Sequence, residues 1–174
     1  MGSVFERGRR GGARLKWSLA AVTASASFAL DFVAKRWAQG ALLPGERRGF
    51  LPLLDLQLVA NKGVAFGMLA GRSFLIQLAA AAALCVIVAY VIVERRSIPA
   101  GLAGGLLIGG SLGNLVERAT TGQVTDFLKL PHWPNFNLAD IFIVVGVVLV
   151  AVSLAGGGGK SSAGAGAGGG EAGS

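Results

Sequence analysis

Four apolar segments alternate with polar stretches along the chain, over residues 17–34, 74–93, 98–116 and 138–155. Each is close to the roughly 20 residues that a helix needs to cross about 30 Å of hydrocarbon. Helices also pair their own backbone groups, which lipid cannot do. The pattern therefore predicts an all-α membrane protein with four transmembrane helices, forming one membrane domain over residues 17–155.

The connection between the first two segments, residues 35–72, is long for a loop. Long connections usually have structure or function of their own. Pro44 and Gly45 mark a turn, and apolar and polar residues alternate between residues 51 and 59. A period of two residues is typical of a strand. We predict a small extracytoplasmic β-element in this first outer loop, lying on the outer membrane face.

The two ends of the chain differ in composition from the segments between them. Residues 1–16 carry several Arg and Lys residues among glycines, and we interpret them as a basic cytoplasmic N-terminal tail. A signal peptide is the alternative, but the apolar run ends in Asp31 and Lys35 without a small-residue cleavage pattern. Residues 156–174 are almost entirely Gly, Ala and Ser, which predicts a disordered tail.

Four spans place both termini on one side of the membrane. The basic N-terminal tail and the Glu94-Arg95-Arg96 connection between the second and third segments lie on that side. Basic residues favour the cytoplasm, although Lys and Arg are about equally numerous on the two sides here. The first span usually dominates orientation. We therefore predict a multi-pass protein with both termini in the cytoplasm.

Composition supports the membrane class. Hydrophobic residues make up 53% of the chain and charged residues 14%, whereas soluble domains carry about a quarter charged residues. The formal net charge is +7, and basic residues beside apolar spans favour membrane lipids as partners over nucleic acid. A single Cys and a single His predict neither a disulfide framework nor a metal site. Cys85 lies in an apolar run and is expected to be buried.

Acidic residues near lipid are costly and are candidate functional groups. Asp31 and Lys35 are one helical turn apart, which predicts a structural ion pair. Asp126 follows the third segment and Asp140 opens the fourth. The linker between them returns the chain to the same membrane face. The sequence therefore predicts that the two aspartates lie at one edge of the bilayer.

Two close carboxylates share one proton and titrate as a pair. Such a pair can activate water and polarise a carbonyl group. Asn137 is the predicted N-cap of the fourth helix, which places Asp140 at the third helical position. The positive end of the helix dipole would favour its ionised form. We therefore predict Asp140 as the base and Asp126 as its protonated partner.

Other interpretations of the same residues remain open at this point. The aspartates could simply cap helices at the interface. A small transporter or channel would use acidic groups, but usually nearer the middle of a span. A non-catalytic membrane scaffold is a further alternative. A serine/lysine protease is less favoured, because Ser111 lies within the third segment and Lys129 is the nearest basic residue.

Small residues recur at every fourth position of the third segment, at Gly101, Gly105, Gly109 and Gly113. This glycine stripe predicts close approach of another helix. Asn114 and Arg118 follow on one face of the same helix. We interpret them as positioning residues near the aspartates.

Together, four blocks in order resemble signal peptidase II, the bacterial prolipoprotein signal peptidase. The blocks are residues 31–35, 61–67, 113–118 with 122–127, and 136–140. The resemblance implies an aspartic endopeptidase of the bacterial cytoplasmic (inner) membrane, with its active site near the outer face. It implies that the enzyme cuts prolipoproteins just before a diacylglyceryl-modified cysteine.

Residue roles follow from the same resemblance. Asp126 and Asp140 match the catalytic pair. Site-shaping or substrate-binding positions are matched by Asn61, Gly63, Phe66, Asn114, Arg118 and Asn137. Structural support is expected from Asp31, Lys35 and Glu117, the last standing where the family more often has Asp. The resemblance implies no metal and no cofactor. It implies diacylglyceryl-prolipoprotein substrates as partners, and we expect the protein to be a monomer.

Overall fold

The computed structural model describes residues 2–62, 97–155 and the single positions Cys85, Ala89 and Val93, with side chains from residue 12 onward in the first helix. Several predictions lie outside the described residues. They concern most of the second apolar segment, residues 94–96, Gly63, Phe66 and the tail at 156–174. Cys85 is exposed, so its predicted burial is wrong. Apolar side chains of membrane proteins can face lipid as well as protein.

Three long helices correspond to the first, third and fourth apolar segments. They are α1 (Gly2–Ala41), α2 (Ser97–Thr121) and α3 (Leu138–Ala155). Among the described residues, three helical stretches are long and apolar enough to cross a membrane: Gly12–Ala41, Ile98–Thr121 and Leu138–Ala155. The bounds of α3 match the prediction, whereas α1 and α2 extend further. Hydropathy marks the part of a helix that suits lipid, but its backbone hydrogen bonds continue beyond that part.

Two tryptophans mark the apolar stretch of α1. Trp17 and Trp37 are about half exposed and are separated by about 30 Å of helix. This length matches the hydrocarbon core of a bilayer, and Trp is enriched at both of its interfaces. The Lys16 ammonium lies 4.9 Å from the centre of the Trp17 ring. At the opposite end, Lys35 is about 3 Å along the helix axis from Trp37.

The glycine stripe of α2 packs directly against α1. A Cβ atom on any of its four glycines would come within 2.6 Å or less of an α1 atom. The α1 residues at this interface include Lys16, Leu19, Ala20, Thr23, Ala24, Ser27 and Asp31. The predicted close helix approach is confirmed, and it brings Asp31 against Gly113.

The first turn of α3 packs on the other side of α2. The Ala139 carbonyl lies close above Gly110, and the Leu107 side chain lies against Gly146. Larger residues at these glycines would push the two helices apart. The packing holds the start of α3 at the level of Gly113 and of Asn114, which follows it.

The structure also contains an antiparallel three-stranded sheet with the strand order β1-β2-β3. Two of its strands follow α1 in the chain, and the third lies between α2 and α3. Its strands are β1 (Arg47–Leu51), β2 (Leu54–Asn61) and β3 (Val124–Lys129). The predicted β-element in the long loop is therefore present as β1 and β2. The third strand, β3, was not predicted from the sequence. Five of its six residues are buried, so it lacks the polar alternation by which a half-exposed strand is recognised.

A small hydrophobic cluster attaches the sheet to the end of α1. It consists of Ala38, Leu42, Leu56, Phe127 and Leu128. Phe136 then pairs with Leu128 through backbone hydrogen bonds in both directions. This pairing closes the loop between β3 and α3, and it brings the chain just before α3 beside the strand that carries Asp126.

Candidate active site

The two predicted aspartates meet at a single residue, Asn137. Asp126 lies on β3, and its Oδ1 accepts a 2.8 Å hydrogen bond from the side-chain amide of Asn137. Asp140 lies in the first turn of α3, and its Oδ2 accepts a 3.1 Å hydrogen bond from the backbone N–H of Asn137. Strand pairing and helix packing thus bring together two carboxylates that belong to different elements.

Asn137 and Asp140 form a reciprocal cap at the start of α3. The Asn137 Oδ1 accepts a 3.1 Å hydrogen bond from the backbone N–H of Asp140, while the Asp140 carboxylate accepts the backbone N–H of Asn137. This is the geometry of a capping box, in which the N-cap residue and the third helical residue satisfy each other's backbone N–H groups. The predicted N-cap is confirmed. The cap also fixes the direction in which the Asp140 carboxylate points.

Asp126 is only 3% exposed. Burial raises the pKa of Asp126 to about 6, because desolvation disfavours the charged form. A 2.9 Å hydrogen bond from the Asn61 amide to Oδ2 acts in the opposite direction. The negative charge of Asp140 raises the pKa further, whereas the Asn137 amide and the Lys35 ammonium lower it. Asp126 therefore holds a proton more readily than an ordinary aspartate does.

Asn114 forms a second link to the pair. Its Nδ2 donates a 2.9 Å hydrogen bond to Asp140 Oδ1. Its Oδ1 accepts hydrogen bonds from Lys35 Nζ at 2.8 Å and from Asn137 Nδ2 at 3.1 Å. Every polar atom of this side chain is engaged, so Asn114 is held in one orientation. It was predicted as a positioning residue, and the structure places it directly against Asp140.

Buried charges lie behind Asn114. The Lys35 ammonium is 2.7 Å from Asp31 and 3.1 Å from Glu117. The ion pair predicted between Asp31 and Lys35 is thus present, and both side chains are buried. Asp31 Oδ1 also accepts a 2.9 Å hydrogen bond from the backbone N–H of Ala139, next to Asp140. The group therefore connects α1 and α2 to the start of α3.

Glu117 connects this group to β3. Its carboxylate accepts the backbone N–H of Thr125 at 3.1 Å and the Thr125 hydroxyl at 2.5 Å. The Gln39 amide donates a 2.7 Å hydrogen bond to the same hydroxyl. Neither Thr125 nor Gln39 was predicted from the sequence as a site residue. Thr125 is signalled only by its position next to Asp126, and nothing local marks Gln39.

Of the remaining predicted site residues, the structure describes Arg118. Arg118 is exposed, and its side chain makes no hydrogen bond or ion pair with the part of the chain that the structure describes. Gly63 and Phe66 lie outside the described residues. Lys129, considered for a serine/lysine pair, instead donates a hydrogen bond to the Trp133 carbonyl at 2.5 Å.

Comparison with known families places this arrangement in context. The family model described as signal peptidase (SPase) II matches residues 23–155. The chain belongs to the signal peptidase II family. The four ordered motif blocks therefore identified the family correctly, and the membership makes this membrane protein a bacterial protease, a hydrolase.

Individual relatives and solved structures agree with this assignment. The lipoprotein signal peptidase of Syntrophomonas wolfei subsp. wolfei is 43% identical over 125 residues, covering 70% of this chain and 82% of the relative. That of Bifidobacterium longum subsp. infantis is 37% identical over 150 residues, covering 82% and 81%. Among solved structures, a bacterial membrane enzyme at 1.9 Å resolution is similar with a TM-score of 0.64 and 27% identity, covering 78% of this chain and 91% of that one. A second, at 2.3 Å, gives a TM-score of 0.66 at 25% identity, covering 83% and 92%.

Proposed function

We propose that this chain is a membrane aspartic endopeptidase that removes the signal peptide from prolipoproteins, cutting before the diacylglyceryl-modified cysteine. Family membership and relatives named lipoprotein signal peptidase support the substrate class. They also favour a peptidase over a transporter or a scaffold. The observation that carries the aspartic mechanism is the hydrogen bonding of one residue, Asn137, to both Asp126 and Asp140.

The two carboxylates have different environments, which supports different roles. Asp126 is buried and its pKa is raised to about 6, so it is the proposed proton carrier. Asp140 lies at the N-terminus of α3, where backbone N–H groups and the helix dipole stabilise negative charge. It is the proposed base. Aspartic proteases use this state, in which two carboxylates share one proton.

Hydrolysis then proceeds in two steps. Asp140 accepts a proton from water as the water oxygen bonds to the scissile carbonyl carbon, and Asp126 donates its proton to the carbonyl oxygen. In the second step Asp140 gives its proton to the amide nitrogen and the C–N bond breaks. Asp126 recovers a proton from one hydroxyl group as the new carboxyl group forms. The pair ends in its starting protonation state.

The depth of the pair in the membrane suits a lipidated substrate. Lys35 lies close to the interface marked by Trp37, and it is hydrogen bonded to Asn114, which contacts Asp140. A cysteine that carries diacylglycerol would present its preceding peptide bond at this level. With the basic N-terminus in the cytoplasm, this end of α1 faces outward. The proposal also includes cytoplasmic termini, a site near the outer face and a monomeric state. It includes substrate contacts by Arg118, Gly63 and Phe66.

The test is cleavage of a diacylglyceryl-modified precursor peptide by the full chain in detergent micelles. We expect wild-type protein to cut at the modified cysteine. Asp126→Asn and Asp140→Asn should remain folded and lose activity on the order of 10³-fold or more. Asp55→Asn is the matched control, because Asp55 pairs with Arg47 in the β1–β2 hairpin, away from the site. Near-wild-type turnover by either dyad variant would exclude the proposed mechanism.

A further inference from the structure

We infer that the ammonium group of Lys35 positions both carboxylates of the proposed dyad, through a separate branch of hydrogen bonds to each. Lys35 touches neither Asp126 nor Asp140. It acts on them through Asn114 and Glu117. The inference rests on the proposed peptidase function of Asp126 and Asp140. It assigns Lys35 a role beyond neutralising its helical neighbour Asp31.

The first branch leads to Asp140 through Asn114. The carbonyl oxygen of the Asn114 side chain faces two donors, the Lys35 ammonium at 2.8 Å and the Asn137 amide at 3.1 Å. A flipped amide would place its NH2 group against these donors and its oxygen against the Asp140 carboxylate. The charged donor makes the stronger of the two bonds. Lys35 thereby keeps the NH2 group of Asn114 directed at Asp140.

The second branch leads to Asp126 through Glu117. Lys35 lies 3.1 Å from Glu117 Oε2, and the same oxygen accepts the backbone N–H of Thr125 at 3.1 Å. Thr125 immediately precedes Asp126 on β3. The ammonium therefore fixes the carboxylate that holds the backbone of this strand. Displacement of Glu117 would allow Asp126 to shift relative to Asp140.

A third contact fixes the origin of both branches. Asp31 holds Lys35 at 2.7 Å through one oxygen and accepts the Ala139 backbone N–H through the other. The Asp31 carboxylate occupies the space beside Gly113, where a Cβ atom would lie 2.6 Å from it. The ammonium is thus held by side chains of α1 and α2, and Asp31 links it to the start of α3. A shift of the ammonium would therefore shift Asn114 and Glu117.

Charge distinguishes this role from simple packing. Among the described residues, Lys35 is the one cation that forms ion pairs with Asp31 and Glu117, and its charge also acts on Asp126 without contact. Removing Lys35 alone would leave buried carboxylates unpaired, which destabilises a protein for reasons unrelated to positioning. Asp31→Asn with Lys35→Met removes both charges of the helical pair and keeps an oxygen that can accept the Ala139 N–H.

The experiment compares Asp31→Asn with the double variant Asp31→Asn/Lys35→Met in micelles. We expect the double variant to fold and its KM to stay unchanged. Its kcat should fall on the order of 10–100-fold relative to Asp31→Asn, because small misplacements of catalytic groups are costly. Since Lys35 lowers the pKa of Asp126, the alkaline limb of the rate profile should also move to higher pH. Lys35→Arg, which keeps the charge, should retain part of the activity.

Lys16→Met is the matched control. Lys16 is a buried lysine of the same helix at the opposite end of its apolar stretch, where it packs over Trp17. Its kcat and pH profile should match those of wild type. The inference is wrong if the double variant has the kcat and the pH profile of Asp31→Asn.

A measurement without turnover separates this inference from the proposed function. The side-chain NH2 signal of Asn114, which is hydrogen bonded to Asp140, should show a pH response in 15N NMR spectra of Asp31→Asn and lose that response in the double variant. If wild type fails to cleave lipidated peptide, the proposed function fails, but this readout still decides the positioning role. An unchanged Asn114 response in the double variant would overturn it.

Discussion

The side chain of Asn137 donates a hydrogen bond to Asp126 at 2.8 Å, and its backbone N–H donates one to Asp140 at 3.1 Å. One residue thereby caps a membrane helix and spaces the two proposed catalytic carboxylates. The cap is a local feature of the chain, whereas the bond to Asp126 requires β3 to lie beside the start of α3. These two roles can be separated by mutation.

Asn137→Ser should keep the cap and lose the bridge. Serine is a good N-cap, but its side chain is too short to reach Asp126. We expect thermal stability in micelles close to that of wild type, with cleavage of lipidated peptide reduced on the order of 10–100-fold. Asn137→Ala is the comparison, because it loses the cap as well and should cost a further ~1 kcal/mol of stability. Wild-type turnover by Asn137→Ser would show that the bridge has no part in catalysis.

The alkaline limb of the pH profile should report Asp126. The proposed mechanism needs this carboxyl group protonated, so kcat/KM should fall as the pH rises through its pKa of about 6. Asn61→Ala removes an amide donor that stabilises the ionised carboxylate. Its loss favours the protonated form, and the limb should move to higher pH.

The matched control for this shift is Gln57→Ala on the same strand. The Gln57 side chain donates a hydrogen bond to the Gly45 carbonyl and accepts one at 3.3 Å from the Asn135 amide, and it does not contact Asp126. Its pH profile should be that of wild type. A limb that stays in place, or moves to lower pH, in Asn61→Ala would contradict the assignment of that limb to Asp126.

Thr125→Val should loosen the strand next to Asp126. The substitution preserves shape but removes the hydroxyl that joins Gln39 to Glu117. Leaving the partly buried Glu117 carboxylate and the exposed Gln39 amide with one partner fewer should lower the free energy of unfolding by about 1 kcal/mol. The change should also reduce kcat. Thr121→Val is the control, because the exposed Thr121 hydroxyl bonds only backbone groups, and it should stay within about 0.5 kcal/mol of wild type.

Gly113→Ala should displace Asp31. The new Cβ atom would lie 2.6 Å from the Asp31 carboxylate, which is itself held by Lys35 and by the Ala139 N–H. We expect a loss of about 1–3 kcal/mol in stability, measured by unfolding in micelles, together with reduced cleavage. Gly40→Ala is the control on α1, since nothing lies within 4 Å of its Cβ position. Equal stabilities of the two variants would contradict the close packing.

Three of the four predicted apolar helices and the cap at Asn137 are found among the described residues, and they could be predicted from the sequence because their signals are local. Hydropathy over some 20 residues marks a span, and a cap depends on residues three positions apart. The glycine stripe likewise predicted a close helix contact, although it did not indicate which helix would be the partner. The ion pair of Asp31 and Lys35 was predictable for the same reason, since the two side chains lie one turn apart on one helix.

Tertiary structure decided the rest. The strand carrying Asp126 is buried, so no alternation marked it. Lys35 and Asn114 are 79 positions apart, and Gln39 and Thr125 are 86 apart. Such pairs form only because close packing of α1 on α2 and pairing of β2 with β3 bring their side chains within hydrogen-bonding distance. The chain alone therefore determined where three long apolar helices lie and which acids lie near their ends, whereas packing determined which groups hold those acids in place.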